Sequence, residues 1–407
     1  MRPPTASESD HGEAGVLEQI AERARASGKI ALDTEFMGEG RYRTLLCLIQ
    51  LAVADGEGGE RIEIFDPPGG VRPAAARQPT GRGCEPLAQV LADPKIEVVV
   101  HAGRQDIALL RRTLGCQARN VFDTQVAAGF LGMPAQCSYE TLLAETLGVR
   151  LAKSASLTRW DARPLSPEQL AYAREDVMHL LALAAELERR LERIGRLRWA
   201  QEECEFLEQV SDERDVSAIF ERLPRVRGMS VASQGVAREL VEWRERTAAE
   251  RDRPVQSVLG DTALMEIAKR KPSSLRELEE IRGIGQSSLR KRGEEVLGAV
   301  ERGRRRTDEL PAARPRGTQP HPDDAPLTAL SEALVRARGR EANLAYELLA
   351  SRADLQAIVV GERTGERADV RTLRGWRREL VGEELLRLLG DNVSLSVKNR
   401  RVRVTRH

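Results

Sequence analysis

Ile30-Ala31-Leu32-Asp33-Thr34-Glu35-Phe36 is an apolar run that ends by placing two carboxylates with one residue between them. In a β-strand alternate side chains share a face, so Asp33 and Glu35 project together from the end of a strand whose other residues are buried. Unpaired, the two acids repel, and each tends to hold its proton. A divalent cation resolves that conflict, because hard cations such as Mg²⁺ prefer carboxylate oxygens. A solvated strand end paired with Arg41 and Arg43 would satisfy the same residues, so the pair takes its meaning from what accompanies it.

With 407 residues and 41% hydrophobic content, the chain has room for two or three domains, each with its own core. No stretch approaches the ~20 apolar residues of a membrane span. The N-terminus lacks the apolar core of a secretory signal. A cytoplasmic protein without membrane contact is expected, with a monomer as the default. Cys47, Cys84, Cys116, Cys137 and Cys204 are scattered and never spaced as Cys-x-x-Cys, which argues against a disulfide framework or a zinc site. Any metal is therefore expected to be held by oxygen. Lys and Arg (64) nearly balance Asp and Glu (63), so distribution says more than the net charge of +1. Acids crowd Glu202 to Asp215, and bases crowd Arg290-Lys291-Arg292, Arg302 to Arg306 and Lys398 to Arg406.

Along the chain, residues 14 to 27 read as an amphipathic helix leading into the opening strand. Tyr42 to Val53 and Arg61 to Phe65 read as the second and third strands of an antiparallel meander. Pro67 to Gly83, rich in Pro, Gly and Arg, reads as a mobile surface loop. Glu97 to Val100 is a buried strand by its β-branched run, and a helix follows from Gln105 to Leu114. Asp106 falls in that helix's first turn, where the dipole favours a carboxylate. Asp123 ends a strand and precedes a helix, as a structural N-cap should, and His101 reads as a satisfied strand-end histidine. Ser166-Pro167-Glu168-Gln169 is a helix start with a capping box. The helix it begins carries Tyr172 and Asp176 one turn apart on one face, with Val177, Leu180 and Leu181 as its buried stripe. Strands alternating with helices give an α/β domain with a mixed sheet.

Asp33-x-Glu35, then Asp106 in a His-Ala-Gly-x-x-Asp context, then Tyr172-x-x-x-Asp176 together resemble the three exonuclease motifs of the DEDD superfamily. Leu32-Asp33-Thr34-Glu35-Phe36, Leu48-Ile49-Gln50-Leu51, Phe122-Asp123-Thr124-Gln125 and Thr158-Arg159-Trp160-Asp161-Ala162-Arg163-Pro164-Leu165 are similar to ribonuclease D over roughly residues 14 to 195. Relatives that orient water with histidine carry it five positions before the last aspartate, where this chain has Ala171, so Tyr172 corresponds to the tyrosine of the tyrosine subtype. The resemblance implies a ribonuclease H-like exonuclease fold and a two-metal mechanism. Asp33, Glu35, Asp106 and Asp176 would hold two Mg²⁺ or Mn²⁺ ions, and Tyr172 would orient the attacking water. The implied activity is 3′-to-5′ hydrolysis of RNA with a free 3′ end, releasing 5′-nucleoside monophosphates, with tRNA precursors the expected partner. A DNA-directed 3′-5′ exonuclease of the same superfamily and a catalytically silent RNA-binding scaffold are the alternatives.

The later chain is expected to be all-α. Residues 232 to 304 resemble the HRDC domain, with Asp261 as a helix cap, Ser274 and Glu277 as a capping box, and Ile281-Arg282-Gly283-Ile284-Gly285 as an interhelical turn. Glycines let a backbone approach phosphate closely, so Gly283, Gly285, Arg290, Lys291 and Arg292 are candidate RNA contacts; a packing turn followed by a solvated basic face explains them equally well. The expected domains are an exonuclease domain at 14–200, an acidic helical connector at 201–231, HRDC at 232–304, a disordered linker at 305–326 and an HRDC-like helical domain with a basic tail at 327–407. Arg304 to Pro326 would let that last domain sit variably, with Trp376 in its core. The tail from Val393 to His407 is basic and alternating, fitting either a strand or a phosphate-binding arm.

Overall fold

Strand β1 (Lys29–Met37) lies at the centre of a five-stranded mixed sheet ordered β3-β2-β1-β4-β5. The structure, a computed structural model of the chain, describes residues 6–67, 83–134, 136–151, 159–284, 286–306 and 321–407. Strands β2 (Leu45–Ala54) and β3 (Glu60–Phe65) continue from β1 as an antiparallel meander. On the other side, β4 (Glu97–Val100) and β5 (Val121–Asp123) run parallel to it. Pairing between β1 and β4 ends at Ala31 opposite Val99, so beyond that point the β4-side edge of β1 is open.

Both faces of the sheet are covered, which is why its strands read as continuous apolar runs. Ile30, Leu32, Val98 and Val100 pack with α1 (Ala6–Ser27), α2 (Glu85–Ala92) and α3 (Arg104–Leu114). Ala31, Val99 and Phe122 point the other way. They meet α4 (Thr124–Phe130), α5 (Tyr139–Leu147), α7 (Leu180–Arg193) and α8 (Leu197–Glu205). Between α5 and α7, helix α6 (Pro167–Glu175) starts at the expected Ser166 capping box.

Tertiary contacts override the sequence reading in two places. The helix expected to run through Asp176 stops at Glu175, and the chain turns at His179 (φ 70°) before α7 begins. Neighbours satisfy the backbone freed there: the Tyr139 hydroxyl donates to Met178 O, and His179 N donates to Glu60 at 3.2 Å. Strand β2 begins at Leu45 rather than Tyr42, because residues 41 and 42 are claimed by a distant helix. Arg41 pairs with Asp252 at 2.8 Å, Tyr42 N donates to Asp252 at 3.1 Å, and the Tyr42 hydroxyl donates to Glu245 at 3.0 Å.

A second unit comprises α9 (Val216–Arg222), α10 (Val231–Arg251), α11 (Val255–Val258), α12 (Asp261–Arg270), α13 (Leu275–Glu279) and α14 (Gln286–Arg305). Its separate core includes Phe220, Leu240, Leu264, Leu278 and Val300. Helices α10 and α14 cross at Gly235 and Gly303, where a Cβ on Gly303 would come within 2.4 Å of Val236 Cα. Asp261 is not the N-cap of α12; Gly260 is, and the Asp261 carboxylate takes Arg244 at 2.5 Å. Ser274 caps α13, but Glu277 reaches back to Ser273 N instead of closing the box. The expected connector 201–231 is divided, since Cys204 and Leu207 pack in the exonuclease cores and Phe220 to Val226 in the second unit.

The third unit contains α15 (Asp324–Ala342), α16 (Tyr346–Leu349), α17 (Arg352–Thr364), α18 (Gly375–Arg377), a π-helical turn (Arg378–Gly382) and α19 (Glu383–Leu389). It is not all-α, because the tail is a hairpin of β6 (Val393–Lys398) and β7 (Arg401–Arg406). Nor does it sit variably. Its core is continuous with that of the exonuclease domain, and Trp376, 2% exposed, is the joint. The indole stacks on Trp199 of α8 (centroids 5.4 Å apart, 17° between planes) and meets Phe130 of α4 edge-on at 5.0 Å. Arg196 ties the units further, donating to Phe130 O at 2.9 Å and Ala342 O at 2.6 Å. Of the expected loop and linker, residues 68–82 and 307–320 lie outside the described residues.

Candidate active site

Asp33 and Glu35 stand on β1 just where its edge opens. Asp33 lies opposite Gln50 and Glu35 opposite Leu48 on β2. Immediately after Glu35 the register skips Cys47, a bulge that bends the strand beside the two acids. Into the open edge comes the first turn of α3, carrying Asp106, which is 7% exposed and accepts a hydrogen bond from the Thr34 hydroxyl. Asp176 follows the last residue of α6, its amide donating to Tyr172 O at 3.2 Å, so the α6 to α7 break sets its place.

These acids feel one another. Burial first, and then the negative charges of Asp106, Asp176 and Glu35, push the Asp33 carboxyl well above the usual range. Glu35 is pushed up to about 8 by burial, then by Asp176 and Asp106. Asp176 rises to about 7 through burial, then through Glu175 and Glu140. Asp106 also rises with burial, partly offset by the Thr34 hydroxyl. The Tyr172 phenol is raised by burial, then by Asp176, Glu35 and Asp33, which keeps it protonated.

The residues suit a cation. The donor set is all oxygen, and Asp176 Oδ2 is buried without a hydrogen-bond partner. Among the described residues, no group of three or more Asp, Glu, His or Cys side chains is arranged to hold a metal ion.

The supporting shell is where sequence reasoning fell short. Asp123 does more than cap α4: its carboxylate accepts from Gln125 N and Val126 N, and also from Ala102 N (3.0 Å) and Gly103 N (2.9 Å). It thereby holds the turn that launches α3 and Asp106. His101 contacts the Thr124 hydroxyl at 2.9 Å, and burial lowers its pKa to about 4, so it is neutral. Trp160 lies against Tyr172 at 5.9 Å. Arg163 donates to Cys47 O at the bulge (3.0 Å), to both Asp66 oxygens, and to Trp160 O and Ala162 O (2.8 and 2.7 Å). One guanidinium thus couples the bulge after Glu35 to the loop that presents Tyr172. Gln50, directly across from Asp33, is fully buried with neither amide atom partnered. The motif stretch around Trp160 contained Arg163, but nothing in the sequence indicated its partners.

The proposed RNA contacts of the second unit fare unevenly. Gly283 adopts φ 90° in the interhelical turn, a conformation that favours glycine. Gly285, the Arg290 side chain and Thr158 of the Trp160 motif lie outside what is described. Lys291 is exposed. Arg292 instead turns inward beside Trp243, Val258 and Leu259, with Nε and Nη1 buried and unpartnered. Burial, and then Arg251, lowers its pKa.

Family models match in two places: a 3′-5′ exonuclease over residues 13–192 and an HRDC domain over residues 233–300. Ribonuclease D of Granulibacter bethesdensis is 33% identical over 394 residues, covering 95% of this chain and 94% of the relative. Ribonuclease D of Gluconacetobacter diazotrophicus is 34% identical over 390 residues, with 95% and 94% covered. Among solved structures, Escherichia coli RNase D, described as an exoribonuclease involved in structured RNA processing, superimposes with a TM-score of 0.78. It shares 30% identity, with 93% of this chain and 97% of that chain covered. The catalytic core of Trypanosoma brucei RRP6 shares the fold, with a TM-score of 0.52 and 24% identity over 71% of this chain and 77% of that one. Among the described residues, no helix is long and apolar enough to cross a membrane.

Proposed function

The chain belongs to the ribonuclease D family and is a 3′-5′ exoribonuclease; on that premise we propose that it trims the 3′ ends of structured RNA precursors, tRNA among them, by two-metal hydrolysis. The observation that carries this reading is the gathering of Asp33, Glu35, Asp106 and Asp176 from three separate chain segments, near enough that Asp106 and Asp176 push up the Asp33 and Glu35 carboxyls. In the proposal these four residues hold two divalent cations, Mg²⁺ or Mn²⁺. The chemistry supplied by bound cations is Lewis acidity: a more acidic attacking water and charge compensation for the departing 3′ oxygen.

The protein's own part is positioning. Thr34 fixes the Asp106 carboxylate, and Asp123 fixes the turn before it. The Tyr172 hydroxyl, kept protonated, orients the attacking water by hydrogen bonding and does not serve as its base. Glu35 also accepts from the terminal 3′-hydroxyl. Gly283, Gly285, Arg290 and Lys291 are proposed as auxiliary phosphate contacts, whereas the inward turn of Arg292 counts against its having that role.

A comparison of metal-free and Mg²⁺-supplied enzyme on a 3′-extended tRNA, with matched single-stranded DNA as control, tests the reading. Mg²⁺-dependent shortening of the RNA is expected. Preferential DNA cleavage would move the protein to a DNA-directed role, and binding without cleavage would make it a scaffold. Tyr172→Phe should lower kcat by about 10²-fold with little change in KM; an unchanged kcat would remove the tyrosine from the mechanism.

Metal binding should also release protons. Because the metal-free fold raises Glu35 to about 8 and Asp176 to about 7, it carries protons at neutral pH that a cation must displace. Apparent Mg²⁺ affinity should therefore rise as pH increases from 6 towards roughly 8. Calorimetric titration in buffers of different ionisation enthalpy measures the released protons, and buffer-independent heats would contradict the expectation.

A further inference from the structure

We propose that the β6–β7 hairpin is an RNA-binding ribbon, gripping the sugar-phosphate backbone of the substrate away from the 3′ end that enters the active site. The inference deepens the exoribonuclease reading and rests on it.

The hairpin has two unlike faces. In the register Leu395 opposite Val404 and Val397 opposite Val402, one face is apolar. Leu395 and Val404 pack on the core that the third unit shares with the exonuclease domain, and Val393 is buried. The other face carries Ser394, Ser396, Lys398, Arg401, Arg403 and Thr405, all exposed. From Asn392 to His407 there is no acidic residue. Arg406 is engaged by Glu384 at 3.3 Å, but Lys398, Arg400, Arg401 and Arg403 have no ion pair among the described residues. The ribbon is therefore seated at its base, stands free towards its tip, where Val397 is 78% exposed, and is electrostatically uncompensated.

Two details point to a polyanion. Lys398 stands directly opposite Arg401, and like charges facing across a ladder repel unless an anion lies between or over them. Arg401 and Arg403 are alternate residues on one strand, about 6.8 Å apart, a spacing comparable with that of neighbouring phosphates in a nucleic-acid strand. The two-residue turn adds a third observation. Asn399 (φ 54°) and Arg400 (φ 59°) form the tight hairpin turn in which glycine is favoured at the second position, yet an arginine is placed there, at the exposed tip.

Charged residues also protect an open strand edge from pairing with another chain, and an anionic lipid surface would attract the same cations. The experiment separates these. Affinity of full-length protein for a 3′-extended tRNA is measured against salt concentration for wild type and for Lys398→Gln/Arg400→Gln/Arg401→Gln/Arg403→Gln. Loss of four phosphate contacts should flatten the slope of log K against log salt by about 3, with a tens-fold weaker Kd near 0.1 M salt. Cleavage of a short single-stranded RNA tetramer should be unchanged. A variant carrying lysine at all three arginine positions should retain the wild-type slope, which separates charge from folding. Arg400→Gly gives opposed signs: a higher thermal midpoint, because glycine relieves the turn, and weaker tRNA binding. Unchanged slope and Kd in the glutamine variant would overturn the proposal, as would self-association or loss of anionic-vesicle binding as its only effect. If wild type fails to shorten even the tetramer, the exoribonuclease reading itself fails.

Discussion

Asp33→Ala and Asp176→Asn should each lower kcat/KM for 3′ trimming by at least about 10³-fold while leaving tRNA binding intact. Asp33 is raised by burial and by Asp106, Asp176 and Glu35, Asp176 is raised by burial and by Glu175 and Glu140, and Asp176 Oδ2 is buried without a partner. The same substitution carries an opposite expectation for stability. A carboxyl whose pKa is raised on folding costs stability once pH exceeds its unfolded value near 4, and the cost grows until pH passes its folded value. For Asp176 that window closes at about 7. Metal-free Asp176→Asn should therefore melt higher than metal-free wild type at pH 8, with the difference shrinking towards pH 4. Thermal unfolding with chelator at the two pH values measures it. Wild-type trimming rates in both variants would sink the site assignment, and an equal or lower midpoint at pH 8 would sink its electrostatic account.

Trp376→Ala should cost about 3–5 kcal/mol, the range for deleting a large buried aromatic ring. The ring is 2% exposed and stacks on Trp199 and against Phe130, and the neighbouring Arg377 pairs with Glu203 of α8 at 2.5 Å. Because this contact lies in a core common to two units, the loss should fall on both. Urea denaturation followed by circular dichroism should show the exonuclease and third units unfolding earlier together, with the second unit, which has its own core, changed least. A loss below about 1 kcal/mol, or destabilisation confined to the C-terminal segment, would mean that the two units are not joined through this ring.

Of the candidate acids and the tyrosine, those legible in the sequence are the ones that local rules place. Alternation puts Asp33 and Glu35 on one face of β1, a first-turn position sets Asp106, and a capping box begins the helix bearing Tyr172. What the sequence hid depends on distant partners. The break after Asp176 contains neither glycine nor proline, and the Tyr139 and Glu60 side chains that satisfy it are far away in sequence. Tyr42 looked like the start of a strand but answers to Glu245 and Asp252, some 200 positions on. Asp261 had the spacing of a cap, yet a buried arginine takes its carboxylate. Trp376 was recognisable as a core residue, but not as one shared with another unit. The final hairpin was ambiguous because its turn is Asn-Arg and lacks the glycine that usually announces one.

The shared ring cluster also sets a timetable. A ribosome delivers Phe130 and Trp199 first, then must add roughly 180 more residues before Trp376 exists, about 10–35 s at ordinary elongation rates. Throughout that interval the nascent nuclease half holds its acids and its tyrosine, but shows an uncovered aromatic face where the rest of the chain will settle. Completion of the enzyme is thus a late event in its synthesis, sealed by a residue buried in the core that the two units share.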